Sequence, residues 1–290
     1  MRSTSIALVG SGNLAAALAP ALKAAGYRID EIVARNAAGS RQRARRLARQ
    51  VEARAVTLEK ARLQADVIWF CVTDDAIASA ARSLAAGAEW RGKIALHSSG
   101  ALTSDELVSL RRRGAAVASL HPMMTFVHGT APSLAGVAFA VEGDPAAVRK
   151  ARRIARALKG SVLTLRKDAK VLYHSVGSFS SPMVIAALAT AERVARAAGI
   201  PARQAAAIMH PIVRRTIENY LERGAAAAFS GPITRADLNT IRRHLDALEK
   251  VPAARQAYVA LVRSALLSLP VRNRKAVEKC LSSRRRRAKG

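Results

Sequence analysis

The feature that most constrains this chain is an apolar run that ends at two glycines near the N-terminus. Ile6-Ala7-Leu8-Val9 leads into Gly10-Ser11-Gly12-Asn13-Leu14-Ala15, and an alanine- and leucine-rich stretch continues to Gly26. A strand, a glycine turn and a helix in this order begin a dinucleotide-binding βαβ unit. Gly10 allows the tight turn, and Gly12 lets a pyrophosphate approach the backbone because it has no side chain. The helix beyond Gly12 then offers free N–H groups and its positive dipole end to phosphate.

Short apolar runs alternate with helical stretches through the first half of the chain, which favours an α/β fold with a doubly wound, mostly parallel sheet. The run Val67–Val72 is continuously apolar, as expected for a strand covered on both faces. After Lys167 the apolar residues recur at helical spacing, and no strand pattern returns. We therefore predict a Rossmann-type domain over residues 1–166, an all-α domain over 167–270 and a basic, flexible tail over 271–290.

Prolines and glycines divide the helical half into segments. The pattern predicts one long helix over Asp168–Ala198 and a second that ends at Arg223-Gly224 and is bent at Pro211. Two more helices are expected over 234–248 and 252–269. Thr234 is predicted to cap the first of these with Asp237 three residues on, although the same residues could instead rim a cleft.

Composition limits the partners of the chain. Among 290 residues, 48 Lys and Arg stand against 20 Asp and Glu, which gives a net charge of +28 that attracts anions. The arginines are spread along the chain and aromatic residues are scarce, so nucleic acid is not expected as a partner. No apolar run reaches the ~20 residues of a membrane span, so we expect no membrane association. Cys71 and Cys280 lack metal-ligand spacing, which indicates no metal site and a cytoplasmic location.

The end of the second predicted strand indicates which cofactor is bound. NAD sites usually place an acidic residue there to bind the ribose 2′-hydroxyl, about 20 residues beyond the glycines. Here the strand is followed by Arg35-Asn36, and no carboxylate occupies that end. An arginine suits a 2′-phosphate, so we predict NADP, with Arg41 or Arg43 as a possible second contact. The alternative is that Arg35 is one more surface arginine.

Other strand ends supply further candidates, because ligands of open α/β sheets lie outside the carboxyl ends of the strands. Val72, Thr73 and Asp74 lie at the end of the fourth strand and are expected beside the adenosine and ribose. Ser98 and Ser99 follow the fifth strand and are expected near the nicotinamide, although serine is equally common in turns and caps. With Gly10, Ser11, Gly12, Asn13, Leu14, Arg35 and Asn36, these residues form the predicted cofactor site.

Two histidines are candidates for proton transfer. His121 follows the sixth strand, and His174 lies early in the long helix, next to Tyr173 and one turn after Lys170. A cleft between the two domains could bring both imidazoles near the position of hydride transfer. Histidine is a common proton donor when a carbonyl or imine is reduced. For each histidine taken alone, a role in packing is at least as well supported by the sequence as a role in proton transfer.

Taken together, the motifs resemble those of bacterial Rossmann-like proteins with a C-terminal helical domain of unknown function. These are distant relatives of pyrroline-5-carboxylate reductase, ketopantoate reductase and 6-phosphogluconate dehydrogenase. The resemblance is carried by 9–15, 72–77, 97–102, 119–122, 173–175 and 231–233. It implies a nucleotide-binding domain, a helical domain that forms a homodimer, and NADP-dependent oxidoreductase activity.

We therefore predict an enzyme that transfers hydride between NADP(H) and a small carbonyl or imine metabolite bound in the interdomain cleft. The alternative is a non-catalytic NADP-binding sensor or interaction protein. The sequence does not identify the substrate.

Overall fold

An eight-stranded sheet forms the centre of the first part of the chain. The structure, a computed structural model, describes residues 3–282. Its strands are β1 (Ser5–Val9), β2 (Arg28–Ala34), β3 (Arg54–Thr57), β4 (Val67–Phe70), β5 (Ile94–His97), β6 (Ala116–Pro122), β7 (Ala138–Gly143) and β8 (Ser161–Thr164). They lie in the order β3-β2-β1-β4-β5-β6-β7-β8, and only β6 and β7 pair antiparallel. The predicted doubly wound, mostly parallel sheet is confirmed.

Side chains at alternate positions of the central strands enter two cores, one on each face of the sheet. Ile6 and Leu8 of β1 pack into one core, whereas Ala7 and Val9 pack into the other. All four residues of β4 are buried. A strand covered on both faces needs apolar side chains at every position, which explains the continuous apolar run.

Helices connect the strands and then make up the rest of the described chain. They are α1 (Asn13–Ala24), α2 (Ala38–Val51), α3 (Asp74–Ala85), α4 (Val108–Arg111), α5 (Pro145–Ala157), α6 (Lys170–Ser180), α7 (Pro182–Ala197), α8 (Ala202–Ala228), α9 (Pro232–Arg235), α10 (Leu238–Ala247), α11 (Pro252–Ser268) and α12 (Arg274–Ser282). Two compact units result, one that runs to Ser181 and one that begins at Pro182.

The division between the two units lies later in the chain than the predicted boundary between residues 166 and 167. Helix α6 belongs to the unit of the sheet. The side chain of Lys170, the first residue of α6, is 1% exposed. Its ammonium donates hydrogen bonds to the Ser99 carbonyl after β5 and to the Ser119 hydroxyl on β6.

The long helix predicted over Asp168–Ala198 is in fact two helices, α6 and α7. The backbone leaves helical geometry at Ser181, with φ −133° and ψ −81°. Pro182 provides the reason, because a residue before proline is disfavoured in the helical region.

The same stretch corrects the expectation that no segment could span a membrane. Lys167–Ala197 is long and apolar enough to do so by length and composition, and its most apolar window is not buried within the structure. A single stretch of this kind is weak evidence for a span.

The second unit packs α10, α11 and α12 around a core that includes Ile241, Leu266 and Val277. Pro211 lies inside α8, but the residue with non-helical backbone there is Gly224, at φ 75° and ψ 170°. Glycine adopts a positive φ without steric cost because it has no Cβ. The break therefore falls where the sequence predicted that the helix ends, at Arg223-Gly224. The predicted bend at Pro211 stays a prediction.

The predicted cap at Thr234 is also wrong. Asp237 caps α10 instead, since its carboxylate accepts a hydrogen bond from the Thr240 N–H at 3.1 Å. Thr234 lies inside the short helix α9, where its hydroxyl donates to the Phe229 carbonyl at 3.4 Å.

Part of the predicted flexible tail is a packed helix. Val277, Cys280 and Leu281 of α12 are buried at positions three and four residues apart. This spacing places them on one apolar face, which explains why the helix packs despite its basic residues. Residues 283–290 of the predicted tail lie outside the described residues.

Candidate functional site

The glycine turn after β1 has the geometry that the sequence predicts. Gly10 adopts a φ of +118°, and a Cβ there would lie 2.3 Å from the Cys71 carbonyl oxygen, so no other residue fits. At Gly12, in contrast, a Cβ would have no described protein atom within 4 Å. Protein packing therefore does not require glycine at this position, whereas close approach of a ligand to the backbone would. Gly12 is also the N-cap of α1, whose first turn carries no acidic residue.

A cavity of about 330 Å³ lies against this turn. Its walls come from β1, the end of β2, the start of α2, the end of β4 and α3. Of the predicted cofactor residues, six line the cavity: Gly10, Ser11, Gly12, Arg35, Val72 and Thr73. The remaining six, Asn13, Leu14, Asn36, Asp74, Ser98 and Ser99, do not line it. A volume of this size lies within the range of small-molecule sites.

Two arginines of the cavity wall lie where the 2′-phosphate was predicted. Arg35 and Arg43 both line the cavity. Arg43 also donates a hydrogen bond to the Ser40 hydroxyl at 3.3 Å. Arg41 lines the neighbouring surface depressions and donates to the Asn36 side chain. Of the two alternatives for a second phosphate contact, Arg43 is therefore the one that shares a cavity with Arg35.

Ser98 and Ser99, predicted near the nicotinamide, both have hydrogen-bond partners within the protein. The Trp69 indole N–H donates to the Ser98 hydroxyl at 2.7 Å. The Ser99 hydroxyl donates to the Asp74 carboxylate at 2.8 Å and accepts from the backbone N–H groups of residues 101 and 102. These contacts order the loop after β5 and fix it to the start of α3.

Asn13 and Leu14 hold the first turn of α1 against the protein. The Asn13 side-chain amide donates to the Phe126 carbonyl at 3.0 Å, and Leu14 packs against the core. Their predicted contacts with the cofactor stay predictions.

His121 and His174 converge on Gly100. A Cβ at residue 100 would lie 2.3 Å from His174 Nδ1 and 2.8 Å from His121 Nε2, so a side chain there is excluded. The two imidazole rings meet edge to face, with 5.5 Å between their centroids. All three residues belong to the first compact unit, so the pairing of the histidines holds within one unit. The sequence predicted that His121 lies in the loop after β6, but it lies within that strand.

Tyr173 contacts His121 from the other side. Its hydroxyl lies 3.2 Å from His121 Nδ1, and the two rings meet edge to face at 5.7 Å. Burial raises the pKa of Tyr173 to about 12, so the phenol keeps its proton at neutral pH. Burial also lowers the pKa of His121 to about 4, and the neighbouring His174, Lys170 and His97 act in the same direction.

Lys170 lies beneath the histidines as a buried cation. Its ammonium donates to the Ser119 hydroxyl at 2.7 Å and to the Ser99 carbonyl at 3.1 Å. Burial lowers the pKa of Lys170, and the carboxylates of Glu142 and Asp74 oppose that effect. The ammonium therefore ties α6 to β6 and to the loop after β5, and it sets the positions of His174 and Tyr173 one turn later.

His97 is a neutral, buried imidazole at the end of β5. Its Nδ1 accepts from the Ser99 N–H at 3.1 Å, so its Nε2 donates to the Thr103 carbonyl at 2.9 Å. Burial lowers the pKa of His97 to about 4. These two bonds shape the loop that carries Gly100.

The sequence singled out His121 and His174 but missed the importance of Gly100, His97 and the burial of Lys170. The only signal for Lys170 was its four-residue spacing from His174, which predicts a shared helix face and not burial. Within residues 3–282, no group of three or more His, Cys, Asp or Glu side chains is placed to hold a metal ion.

Known structures share this architecture. A protein from Bacteroides fragilis named BF3122, provisionally described as an NADP oxidoreductase, is 25% identical, with a TM-score of 0.74 over 90% of this chain and 97% of that one. Protein TM1727 from Thermotoga maritima is 21% identical, with a TM-score of 0.71 over 94% of this chain and 98% of that one. An imine reductase from Myxococcus stipitatus, solved with NADP⁺, is 20% identical, with a TM-score of 0.65 over 91% of this chain and 94% of that one. No protein with a curated function matches the sequence.

The sheet, the glycine turn and these likenesses define the fold of NAD(P)-dependent oxidoreductases. Residues 2–122 match the Rossmann-like domain, and residues 137–265 match a domain of unknown function, DUF2520. The chain therefore has the domain arrangement of the Rossmann-like proteins that carry this C-terminal domain, which is the family its motifs resemble.

Proposed function

We propose that the protein is an NADP-dependent oxidoreductase that acts on a small carbonyl or imine compound. One contact carries the proposal: the Ser99 hydroxyl bonds to Asp74 at 2.8 Å. Asp74 is next in sequence to Thr73, which lines the cavity. Ser99 is next to Gly100, where His121 and His174 converge. A cofactor that fills the cavity and extends along the strand ends would meet the histidines at Gly100.

The residues of the cavity fit a phosphorylated dinucleotide. The free N–H groups at the start of α1 and the open space at Gly12 suit a pyrophosphate. Arg35 and Arg43 offer two guanidinium groups for a 2′-phosphate. No acidic side chain lines the described cavity to bind a ribose 2′-hydroxyl instead. We therefore favour NADP over NAD.

The histidine pair would bind the group that is reduced. NADPH, when bound, supplies the hydride. His174 is exposed to solvent, so it can exchange protons with water and give one to the oxygen or nitrogen that gains the electron pair. His121, buried more deeply, would hold that same atom beside Gly100.

Binding and turnover measurements test this proposal. We expect NADPH to bind and to quench the protein fluorescence. We also expect that, among a panel of ketones, aldehydes and cyclic imines, at least one compound is reduced while NADPH is oxidised. His174→Ala should lower that turnover by about 100-fold or more, which is the usual contribution of a general acid. Failure to bind NADPH would overturn the proposal. Tight binding without turnover across the panel would favour the alternative, a non-catalytic NADP-binding sensor.

We also propose that the second unit pairs with a second copy of this chain and that the protein works in the cytoplasm. No residue of α7 is buried. On α8, Ile212 and Leu221 are 67% and 74% exposed. Exposed apolar surface of this kind marks interaction sites, and twofold dimers are the commonest assemblies.

Sedimentation experiments test the pairing. Ile212→Asp should convert a dimer to a monomer, whereas Gln204→Asp at an exposed polar position of α8 should not. A monomeric wild-type protein at micromolar concentration would contradict the proposed pairing.

A further inference from the structure

We propose that His121 acts as a neutral imidazole that donates a hydrogen bond from Nε2 to the substrate, and that Tyr173 is the positioning residue that fixes this tautomer. The inference rests on the proposed oxidoreductase function and gives the two histidines different roles. His121 binds the reacting group, and His174 exchanges the proton.

The contact with Tyr173 determines which nitrogen of His121 carries the proton. The Tyr173 hydroxyl lies 3.2 Å from His121 Nδ1 and makes no other hydrogen bond within residues 3–282. A phenol is a good donor, and a neutral imidazole has one acceptor nitrogen and one N–H. When Tyr173 donates to Nδ1, the proton of His121 must be on Nε2.

The Nε2 nitrogen of His121 lies beside Gly100, close to Nδ1 of His174. It lies 2.8 Å from the point where residue 100 would carry a Cβ, so the ring packs directly against the backbone of Gly100. His174 Nδ1 lies 2.3 Å from the same point. Neither nitrogen has a hydrogen-bond partner in the described part of the chain. A carbonyl oxygen or imine nitrogen that approaches these two nitrogens would therefore find both available for a hydrogen bond.

The surrounding groups disfavour a second proton on His121. Tyr173 and His174 face it from α6, His97 faces it from β5, and the Lys170 ammonium lies behind it. Lys170 stays close because it is held by Ser119 on the strand of His121. A positive charge beside three imidazoles makes an additional imidazolium costly.

This arrangement narrows the substrate class. A neutral imidazole N–H donates a hydrogen bond but gives up its proton only with difficulty, so it stabilises developing negative charge without acting as an acid. The partner atom must have a free lone pair. A ketone, an aldehyde or a neutral imine meets this condition, whereas an iminium ion does not.

Nitrogen NMR of the full-length protein tests the tautomer without substrate or cofactor. Two-bond ¹H–¹⁵N correlation spectra of the histidine rings distinguish Nδ1–H from Nε2–H, and the spectrum of a His121→Gln variant identifies the signals of His121. We expect Nε2–H for His121 between pH 5.5 and 8, with no titration in that range. Observation of Nδ1–H, or protonation of His121 near pH 6.5, would overturn the inference.

Tyrosine variants test the cause. Tyr173→Phe should convert His121 to a mixture of tautomers. Tyr258→Phe is a matched control, because the Tyr258 hydroxyl lies 3.3 Å from His244 Nδ1 and the two rings meet edge to face at 5.9 Å. It should alter only the His244 signals. An unchanged His121 spectrum in the folded Tyr173→Phe variant would show that Tyr173 does not fix the tautomer. If that variant does not fold, the spectrum of the wild-type protein still shows which nitrogen of His121 carries the proton.

Turnover separates this inference from the proposed function. If a substrate is found, His121→Gln should retain activity within about tenfold because it keeps an N–H donor, whereas His121→Leu should lose about 100-fold or more. Equal loss in both variants would contradict a donor role. The expected tautomer without any turnover would instead count against the oxidoreductase function and leave the imidazole assignment intact.

Discussion

The Asp74 carboxylate accepts a hydrogen bond from the Ser99 hydroxyl at 2.8 Å, and this contact joins the ends of β4 and β5. Asp74 begins α3 beside the cavity next to the glycine turn, whereas Ser99 begins the turn that carries Gly100. The Ser99 hydroxyl also accepts from two backbone N–H groups, and its carbonyl accepts from Lys170. Ser99 thus links the cavity, the loop after β5 and α6.

Replacing Ser99 should destabilise the protein. Ser99→Ala removes the donor to Asp74 and leaves the N–H groups of Ala101 and Leu102 without their acceptor. Buried donors that lose a partner cost about 1–3 kcal/mol in the free energy of unfolding. Urea denaturation measures this cost. Ser99→Thr, which keeps a hydroxyl, should lose less than Ser99→Ala, and equal losses would mean that the hydrogen bonds contribute little.

Gly100→Ala should lower turnover by about 100-fold without loss of NADPH binding. The new methyl group would lie 2.3 Å from His174 Nδ1 and 2.8 Å from His121 Nε2, so both rings must move. A displacement of about 1 Å in catalytic groups costs about 100-fold in rate. Steady-state kinetics and NADPH titration measure the two effects. Gly87→Ala is the control, because a Cβ there meets no atom within 4 Å, and it should behave as wild type.

Arg35 and Arg43 should discriminate NADPH from NADH. Arg35→Asp removes a guanidinium and adds a charge that repels a 2′-phosphate, so we expect the Kd for NADPH to rise by roughly tenfold or more. The Kd for NADH should change much less. Arg43→Asp should act in the same direction, whereas Arg41→Asp, outside the cavity, is the control. Equal weakening of both cofactors by Arg35→Asp would refute the 2′-phosphate assignment.

The buried His97 should make stability depend on pH. Its pKa is about 4 in the folded protein, against an ordinary value of 6.5. Between these values the unfolded chain binds more protons than the folded protein, so the free energy of unfolding falls as the pH falls from about 6.5 to about 4. The loss attributable to His97 is about 3 kcal/mol at most.

Denaturation at a series of pH values measures the effect. His121, whose pKa is also about 4, contributes in the same direction over the same interval. His97→Gln keeps one acceptor and one donor but does not titrate, so it should reduce the slope of stability against pH. An unchanged slope in that variant would rule out His97 as a source of the pH dependence.

Local patterns predicted much of the first unit. The apolar run of β1 and the glycines after it predicted a strand and a turn, and the structure has both, with Gly10 at φ +118°. The continuous apolar run of β4 predicted burial on both faces, which is observed. The long helix was predicted less well, because its apolar spacing continues through Ser181 while the backbone does not. Periodicity reports which face is apolar and is insensitive to a single residue that leaves helical geometry.

The sequence by itself determined the strand–turn–helix unit, because Gly10 and Gly12 act through local backbone freedom, and it placed Arg35 at the strand end where a 2′-phosphate would bind. Only the tertiary structure decided that Lys170 is buried and that His121 and His174 meet at Gly100. Those residues are distant in the chain. Their proximity follows from the contacts of α6 with β6 and with the loop after β5, which no local pattern encodes.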